Sequence, residues 1–481
     1  MQFLRRGAFA ASLSIIGCAA VKNSTYDYIV VGGGPSAGKD DLLLERGVGP
    51  TVSTGANETM SWNHILTPIG VPGLSADIAN FDLWNQYICT DTGGTAACVL
   101  GDGVTVNYMV FVHSPEHDFN DKWPMGWEWE DVKSAAKRLY ERNSGIIQPS
   151  PDGKRYDQDL YKTLSGFFDK LGWKSADVIA APNEKYQDYS YPAWNTKSQM
   201  RAGPVRTYLP LAKYLDNFTL RLHTKVNRLV RSGSQVMGVE VIDSIPGHSG
   251  VIGLAPNGRV VLAAGALSTP RLLFNSGIGP KAHIETAKKS GITVPPQEEW
   301  INLPVGVGIK DHPIFPSSTD ISLYNQKSGP LTQGKRRMIF FTSNKINVLG
   351  LDEKGNTVMQ LSPYLQTADD RTAARTFIDQ MVYDIFFTYP CTGFKLETYK
   401  NTSAILNSLI VGIHYTTSAK MGIDDGCKNG TLVVDTNTKV YGIETLYVVD
   451  GSIHPDLPTG NIQATIMVVA EQAAAKILAQ H

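Results

Sequence analysis

Tyr28-Ile29-Val30-Val31-Gly32-Gly33-Gly34-Pro35-Ser36-Ala37 is the stretch whose reading decides the fold. Tyr28 to Val31 form a short apolar, β-branched strand, and the residues after it make a G-x-G-x-x-A turn. Gly32 and Gly34 let backbone N–H groups approach a pyrophosphate at a helix N-terminus, with Pro35 and Ala37 completing the turn. A second apolar strand, Leu42-Leu43-Leu44, ends in Glu45, the candidate for ribose hydroxyls. The expected class is therefore α/β, with a Rossmann-like dinucleotide-binding domain.

The spacing inside this unit is short. Only 13 positions separate Gly32 from Glu45, whereas the acidic residue ordinarily follows the glycines by about 20, with a crossover helix between the strands. A right-handed parallel crossover needs about a dozen residues. Roughly ten residues are expected to be missing by that measure, through a deletion or a wrong gene model.

Around this unit the composition is that of a folded enzyme. The chain has 481 residues, 42% of them apolar and 19% charged, with 45 glycines, enough for two to four domains. Lys and Arg total 44 against 45 Asp and Glu, and no basic block exists to neutralise phosphates, so nucleic acid is excluded as the expected partner. Met1 to Arg6 carry a basic start, Gly7 to Ala20 an apolar run, and Cys18 and Ala20 small residues at a cleavage site. Residues 1–20 read as a secretory signal, and the mature protein as secreted. Thr402 to Ala419 is uncharged but interrupted by Asn407 and His414, too polar to span a membrane.

Export makes the remaining Cys89, Cys98, Cys391 and Cys427 an even set; two disulfides are expected, with proximity favouring Cys89 with Cys98 among three possible pairings. No metal-ligating spacing is present. Glycosylation acceptors occur at Asn23, Asn57, Asn217, Asn401 and Asn429.

Farther along, Gly265-Ala266-Leu267-Ser268-Thr269-Pro270-Arg271-Leu272-Leu273-Phe274-Asn275-Ser276-Gly277-Ile278-Gly279 follows the strand Arg259 to Ala264. Here the chain resembles the glucose-methanol-choline (GMC) oxidoreductases, whose second signature this run matches. Leu100-Gly101-Asp102-Gly103-Val104-Thr105-Val106-Asn107 resembles the first signature, with Asp102 and Val104 standing where that pattern has a glycine and a hydroxyl residue. Asn302-Leu303-Pro304-Val305-Gly306, Asp311-His312-Pro313, Val449-Asp450-Gly451 and Leu457-Pro458-Thr459-Gly460-Asn461 are also typical of the family. Within it, Pro295 to Pro304, Arg201 to Leu209 and Asp152 to Tyr156 look most like the flavodehydrogenase part of cellobiose dehydrogenase, without a cytochrome domain.

The resemblance implies an FAD-binding domain from residues 21–130, 201–315 and 411–481. An interleaved α+β substrate domain on an antiparallel sheet is expected from 131–200 and 316–410. It implies FAD as cofactor and transfer of a carbinol hydride to flavin N5, with His414 as the base that takes the hydroxyl proton. Asn461 falls on the family's second catalytic position, just before the helical run Gln463 to Leu478; it is also a residue type suited to a plain N-cap. Gly32, Gly34, Pro35, Ala37, Glu45, Asn107, Val226, Asp450 and Asn461 are the implied cofactor contacts. His454 reads as a structural loop residue. Trp123, Trp127 and Trp129 read as packing residues at a helix entry, with ring stacking on a substrate as the other use of such side chains.

For the substrate, the resemblance implies a sugar of the cellobiose kind, with a quinone, metal-complex or protein electron acceptor. Ile413 and Tyr415 flank His414 where cellobiose dehydrogenases carry a polar residue and a tryptophan, which leaves two other readings open. One is an aryl-alcohol or glucose oxidase-like enzyme using oxygen. The other is a truncated, flavin-free relative, suggested by the short Gly32–Glu45 spacing and by Asp102.

Overall fold

In the computed structural model, Thr25–Val31 (β1) and Leu42–Leu44 (β2) pair in parallel, Ile29 opposite Leu42 and Val31 opposite Leu44. The described residues are 25–33, 42–74, 82–156, 158–185, 187–244, 248–314, 320–321, 348–360, 364–365, 367–383, 394–395, 402–407 and 409–480. Residues 1–24, and with them the expected signal, lie outside that set, as do Gly34, Pro35, Ala37 and Cys391. Ile29, Val30, Val31 and all three leucines of β2 are buried, as expected of strands covered on both faces.

Five further strands complete a mixed sheet: Thr219–Arg221 (β3), Thr224–Ser232 (β4), Gln235–Asp243 (β5), Gly250–Leu262 (β6) and Leu446–Val448 (β7). The order is β3-β2-β1-β6-β5-β4, with β7 also paired to β6. β6 is long enough to pair with three strands of this sheet. Its first residues run antiparallel to β5, while Arg259 to Leu262 run parallel to β1 and Val260 to Leu262 parallel to β7. The carboxyl ends of β1, β2, β6 and β7 therefore open on one side, where ligands bind in open α/β sheets.

Helix Trp129–Arg142 (α1) starts with a capping box between Glu128 and Asp131. It packs against Gln463–Leu478 (α3), the helix expected from the sequence, with Arg138 Nε 2.9 Å from Glu471 Oε2. Trp127 is fully buried and donates its indole N–H to the Thr436 carbonyl at 2.8 Å, and Trp123 stacks on it with centroids 5.3 Å apart. These tryptophans are packing residues. Helix Thr269–Asn275 (α2) follows the Gly265 turn.

The antiparallel sheet expected of the substrate half is represented among the described residues by two-stranded ladders, Leu349–Leu351 with Thr357–Met359 and Asp320–Ile321 with Phe394–Lys395. A third ladder matters most for chemistry. Pro313 pairs with Val411 and Ile314 with Ile410, antiparallel, and this register sets Asp311-His312 beside Gly412-Ile413-His414. Cys89 and Cys98 form one of the two expected disulfides, while Cys427 is, among the described residues, a free, exposed thiol. Among the described residues no helix is long and apolar enough to cross a membrane.

Candidate active site

Glu45 ends β2 buried, one carboxylate oxygen accepting from the Gly33 N–H at 2.8 Å and the other from the Gly47 N–H at 2.7 Å. Burial raises its pKa against those hydrogen bonds. Each oxygen keeps a second lone pair, so the carboxylate can still take ribose hydroxyls. Glu45 lines a cavity together with Gly32, Gly33, Asp102, Val226 and Arg271. Gly32 has φ +104, and a Cβ there would meet the Ala263 carbonyl oxygen at 2.4 Å; only glycine fits this close approach. Of the expected cofactor contacts, Gly32, Glu45 and Val226 thus share one concavity at the carboxyl ends of β1 and β2.

A knot of charge borders the same cavity, whose lining includes Arg46, Lys225 and Arg271. Asp91 binds Arg46 at 2.8 Å, Lys225 at 2.9 Å and Arg271 at 3.0 Å. Burial would raise the Asp91 pKa, but the Arg46 hydrogen bond and the neighbouring cations outweigh it and hold the carboxyl well below the usual range. Three cations against one carboxylate leave this end positive, which suits an anionic nucleotide. None of the four was singled out from sequence; Arg271 lies within the second signature, but its role emerges only where β2, β4, α2 and the disulfide-closed loop converge.

Asp450 does not line that cavity. Its Oδ2 accepts from the Gly265 N–H at 2.9 Å and from Thr269 Oγ1 at 2.6 Å, and its Oδ1 accepts from the Ser452 N–H at 2.8 Å. It holds the Gly265 turn against the end of β7. Asn107 is likewise bound up in protein: its amide donates to Gln463 Oε1 at 2.8 Å, and its Oδ1 accepts from the Met109 N–H and from Arg201.

Asp102 is the group that fits a dinucleotide least. It has φ +48, in the left-handed region, and its carboxylate lies in the cavity beside Gly265. Burial, then the charges of Glu45 and Asp450, push it up to about 7. The glycine cradle, Glu45 and the cationic end fit the ADP half of FAD; Asp102 adds a negative charge where a pyrophosphate must approach.

His414 and Asn461 meet at the second centre. Asn461 Nδ2 lies 3.2 Å from His414 Nε2. Asn461 makes no helix cap: α3 begins after Ile462 without a side-chain cap, so the N-cap alternative is set aside. His414 Nδ1 lies 3.1 Å from Nδ1 of His312, whose pKa burial and His414 depress to about 2. Burial depresses His414 to about 4, which keeps the imidazole neutral at neutral pH. Asp311 accepts from the N–H groups of His312 at 2.8 Å, Gly412 at 3.2 Å, Ile413 at 3.1 Å and His414 at 2.6 Å, and from the Tyr364 hydroxyl. Burial lifts Asp311 to about 6 despite those bonds. Ile413, β-branched and 46% exposed, has φ +60, a strained backbone of the sort found beside functional groups. His454 is fully buried, packed edge-on against Trp123. Asp311 and His312 were noted in the sequence only as markers of descent.

A mixed sheet with a glycine-lined cavity at its carboxyl ends and a separate His–Asn pair fits the class of dinucleotide-binding oxidoreductases. Residues 26–314 and 342–470 match the two models of the GMC oxidoreductase family, and the chain belongs to that family, whose cofactor is FAD. It is 25% identical to an uncharacterized GMC-type oxidoreductase of Rhodococcus erythropolis, over 94% of this chain and 98% of that one. It is also 25% identical to the oxygen-dependent choline dehydrogenase of Pectobacterium atrosepticum, over 79% and 80%. Among solved structures, pyridoxine 4-oxidase from Mesorbium loti superposes with a TM-score of 0.70 at 18% identity, covering 95% of this chain and all of that one. A fungal aryl-alcohol oxidase does so at 0.67 and 17%, covering 95% and 99%. These likenesses carry the fold.

Proposed function

We propose that this oxidoreductase oxidises a CH–OH group of a small molecule, with His414 as the base and Asn461 as the group that holds the substrate oxygen. The observation that carries the reading is the pairing of Asn461 Nδ2 with His414 Nε2 at 3.2 Å. FAD, when bound, supplies the two-electron acceptor. Neutral His414 takes the hydroxyl proton at Nε2, and the Asn461 amide donates to the oxygen as charge develops on it.

The substrate proposed is a sugar of the cellobiose kind, with electrons passed to a quinone, a metal complex or a protein. Residues 131–200 and 316–410 are proposed to form the substrate half. Ile413 is exposed beside His414 and supplies an apolar surface, which favours a less polar alcohol as the second reading; the structural neighbour named for aryl alcohols agrees with it. Secretion after residue 20 is proposed from the leader sequence and the Cys89–Cys98 disulfide, and exposed Asn57, Asn217 and Asn429 are proposed glycan acceptors. Asp102 in the nucleotide cavity supports a third reading, a relative that no longer retains flavin.

The test is the visible spectrum of the purified protein under anaerobic conditions, before and after cellobiose or an aryl alcohol. Bleaching by one of them, abolished in His414→Ala with flavin still bound, is expected. Equal bleaching in that variant removes His414 from the mechanism, and a colourless protein favours the flavin-free reading.

A further inference from the structure

Three hydrogen bonds around His414 leave its ring a single arrangement of protons. One ring nitrogen of His312 bonds the backbone carbonyl of Pro458; a carbonyl only accepts, so that nitrogen carries the His312 proton. Nδ1 of His312 faces His414 Nδ1 at 3.1 Å, leaving its Nε2 for the carbonyl. His312 is buried among Asp311, His414 and Lys122, and stays neutral. Its Nδ1 therefore accepts, and His414 Nδ1 must donate. The remaining nitrogen, His414 Nε2, is then unprotonated, in agreement with the amide donor that Asn461 aims at it from 3.2 Å.

We infer that His312 is a positioning residue that locks His414 in the Nδ1–H tautomer, so that Nε2 is the basic atom presented beside Asn461. The inference rests on His414 being the base, and it gives the Asp311-His312 pair a purpose: the Asp311 carboxylate holds the backbone of both histidines, and the His312 ring holds the proton. In a serine hydrolase triad an orienting group does the same for its histidine, and the wrong tautomer there is severely damaging. The rings lie nearly perpendicular, at 85° with centroids 5.2 Å apart. Rotation of either ring would break the Nδ1 contact.

The experiment compares the full-length protein with His312→Asn, whose side-chain oxygen still accepts near the Nδ1 position, and His312→Phe, which fills the space without an acceptor. Protein with 15N-labelled histidine reports the His414 tautomer by two-bond 1H–15N correlation, assigned against His414→Gln. Stopped-flow reduction of bound flavin by the substrate that bleaches the wild type reports rate and saturation. Expected is an Nδ1–H tautomer in the wild type and in His312→Asn. His312→Phe is expected to convert His414 to the Nε2–H form and to slow the limiting rate by about 100-fold or more, with little change in the half-saturating concentration. An Nε2–H tautomer in the wild type, an unchanged tautomer in His312→Phe, or equal impairment of both variants overturns the inference. Should neither variant fold, the wild-type spectrum alone decides. Loss of the base reading would instead show as normal reduction in His414→Ala, whatever the tautomer.

Discussion

Asp311 binds the backbone N–H of His414 at 2.6 Å, across 103 positions of sequence. The same carboxylate collects the amides of Gly412, Ile413 and His312, so one buried acid organises the turn that carries the candidate base. Hydrogen bonds to a charged acceptor are worth about 1.5–3 kcal/mol each, and stranding their donors costs more than the bond. Asp311→Ala is expected to lower unfolding stability by about 3–5 kcal/mol, measured by urea titration, with Asp311→Asn losing less. A change under about 1 kcal/mol in the alanine variant would show the turn to be held by other contacts.

Ile413 sits at φ +60 with nearly half its surface exposed. A β-branched residue pays steric strain there that asparagine largely avoids. Ile413→Asn is expected to raise the thermal midpoint, equivalent to about 1 kcal/mol, and to favour polar over aryl substrates in flavin reduction. A lowered midpoint counts against strain at this position.

In the proposed mechanism neutral His414 is the active form, and burial depresses its pKa to about 4. Protonation sets in only as the pH falls through that value, so flavin reduction is expected to be flat from pH 8 to about 5 and to fall on the acid side. An inflection near 6.5, the ordinary imidazole value, would mean that the ring is solvated.

Asp102, raised to about 7 by burial and by the charges of Glu45 and Asp450, loses its charge as the pH drops through that value. The nucleotide cavity then carries one negative charge fewer, so FAD is expected to bind more tightly at pH 6 than at pH 8. Asp102→Gly and Asp102→Asn are expected to bind FAD at least 10-fold more tightly at pH 8, about 1.4 kcal/mol, with a flatter pH dependence. Fluorescence quenching of FAD added to apoprotein measures this; equal affinity in all three proteins would place Asp102 away from the pyrophosphate.

The Cys89–Cys98 bridge closes the loop that carries Asp91. Removing it through Cys89→Ala with Cys98→Ala is expected to cost about 2–3 kcal/mol in urea and to weaken FAD binding by loosening the Arg46–Lys225–Arg271 knot. Unaltered FAD affinity would separate the bridge from the cavity.

Local sequence determined much of this protein by itself. The β-branched run before Gly32, the leucines ending in Glu45 and the apolar period of Gln463 to Leu478 each dictate their own element, because period and glycine content act over a few residues. His414, Asn461, Glu45 and Val226 were named from motifs and from the family resemblance, and the fold sets Glu45 and Val226 on one cavity and His414 beside Asn461. Only the tertiary structure decided what the side chains face. Asn107 turned to Arg201 and Gln463 and Asp450 to the Gly265 turn, since their partners lie 94 to 356 positions away. The antiparallel register of Pro313 with Val411 brought Asp311 and His312 to His414, and a loop, a strand and a helix from distant segments gathered three cations on Asp91. Hydrogen bonding and charge are short-ranged in space but indifferent to sequence distance, so the proton arrangement at His414 exists only once the chain is folded.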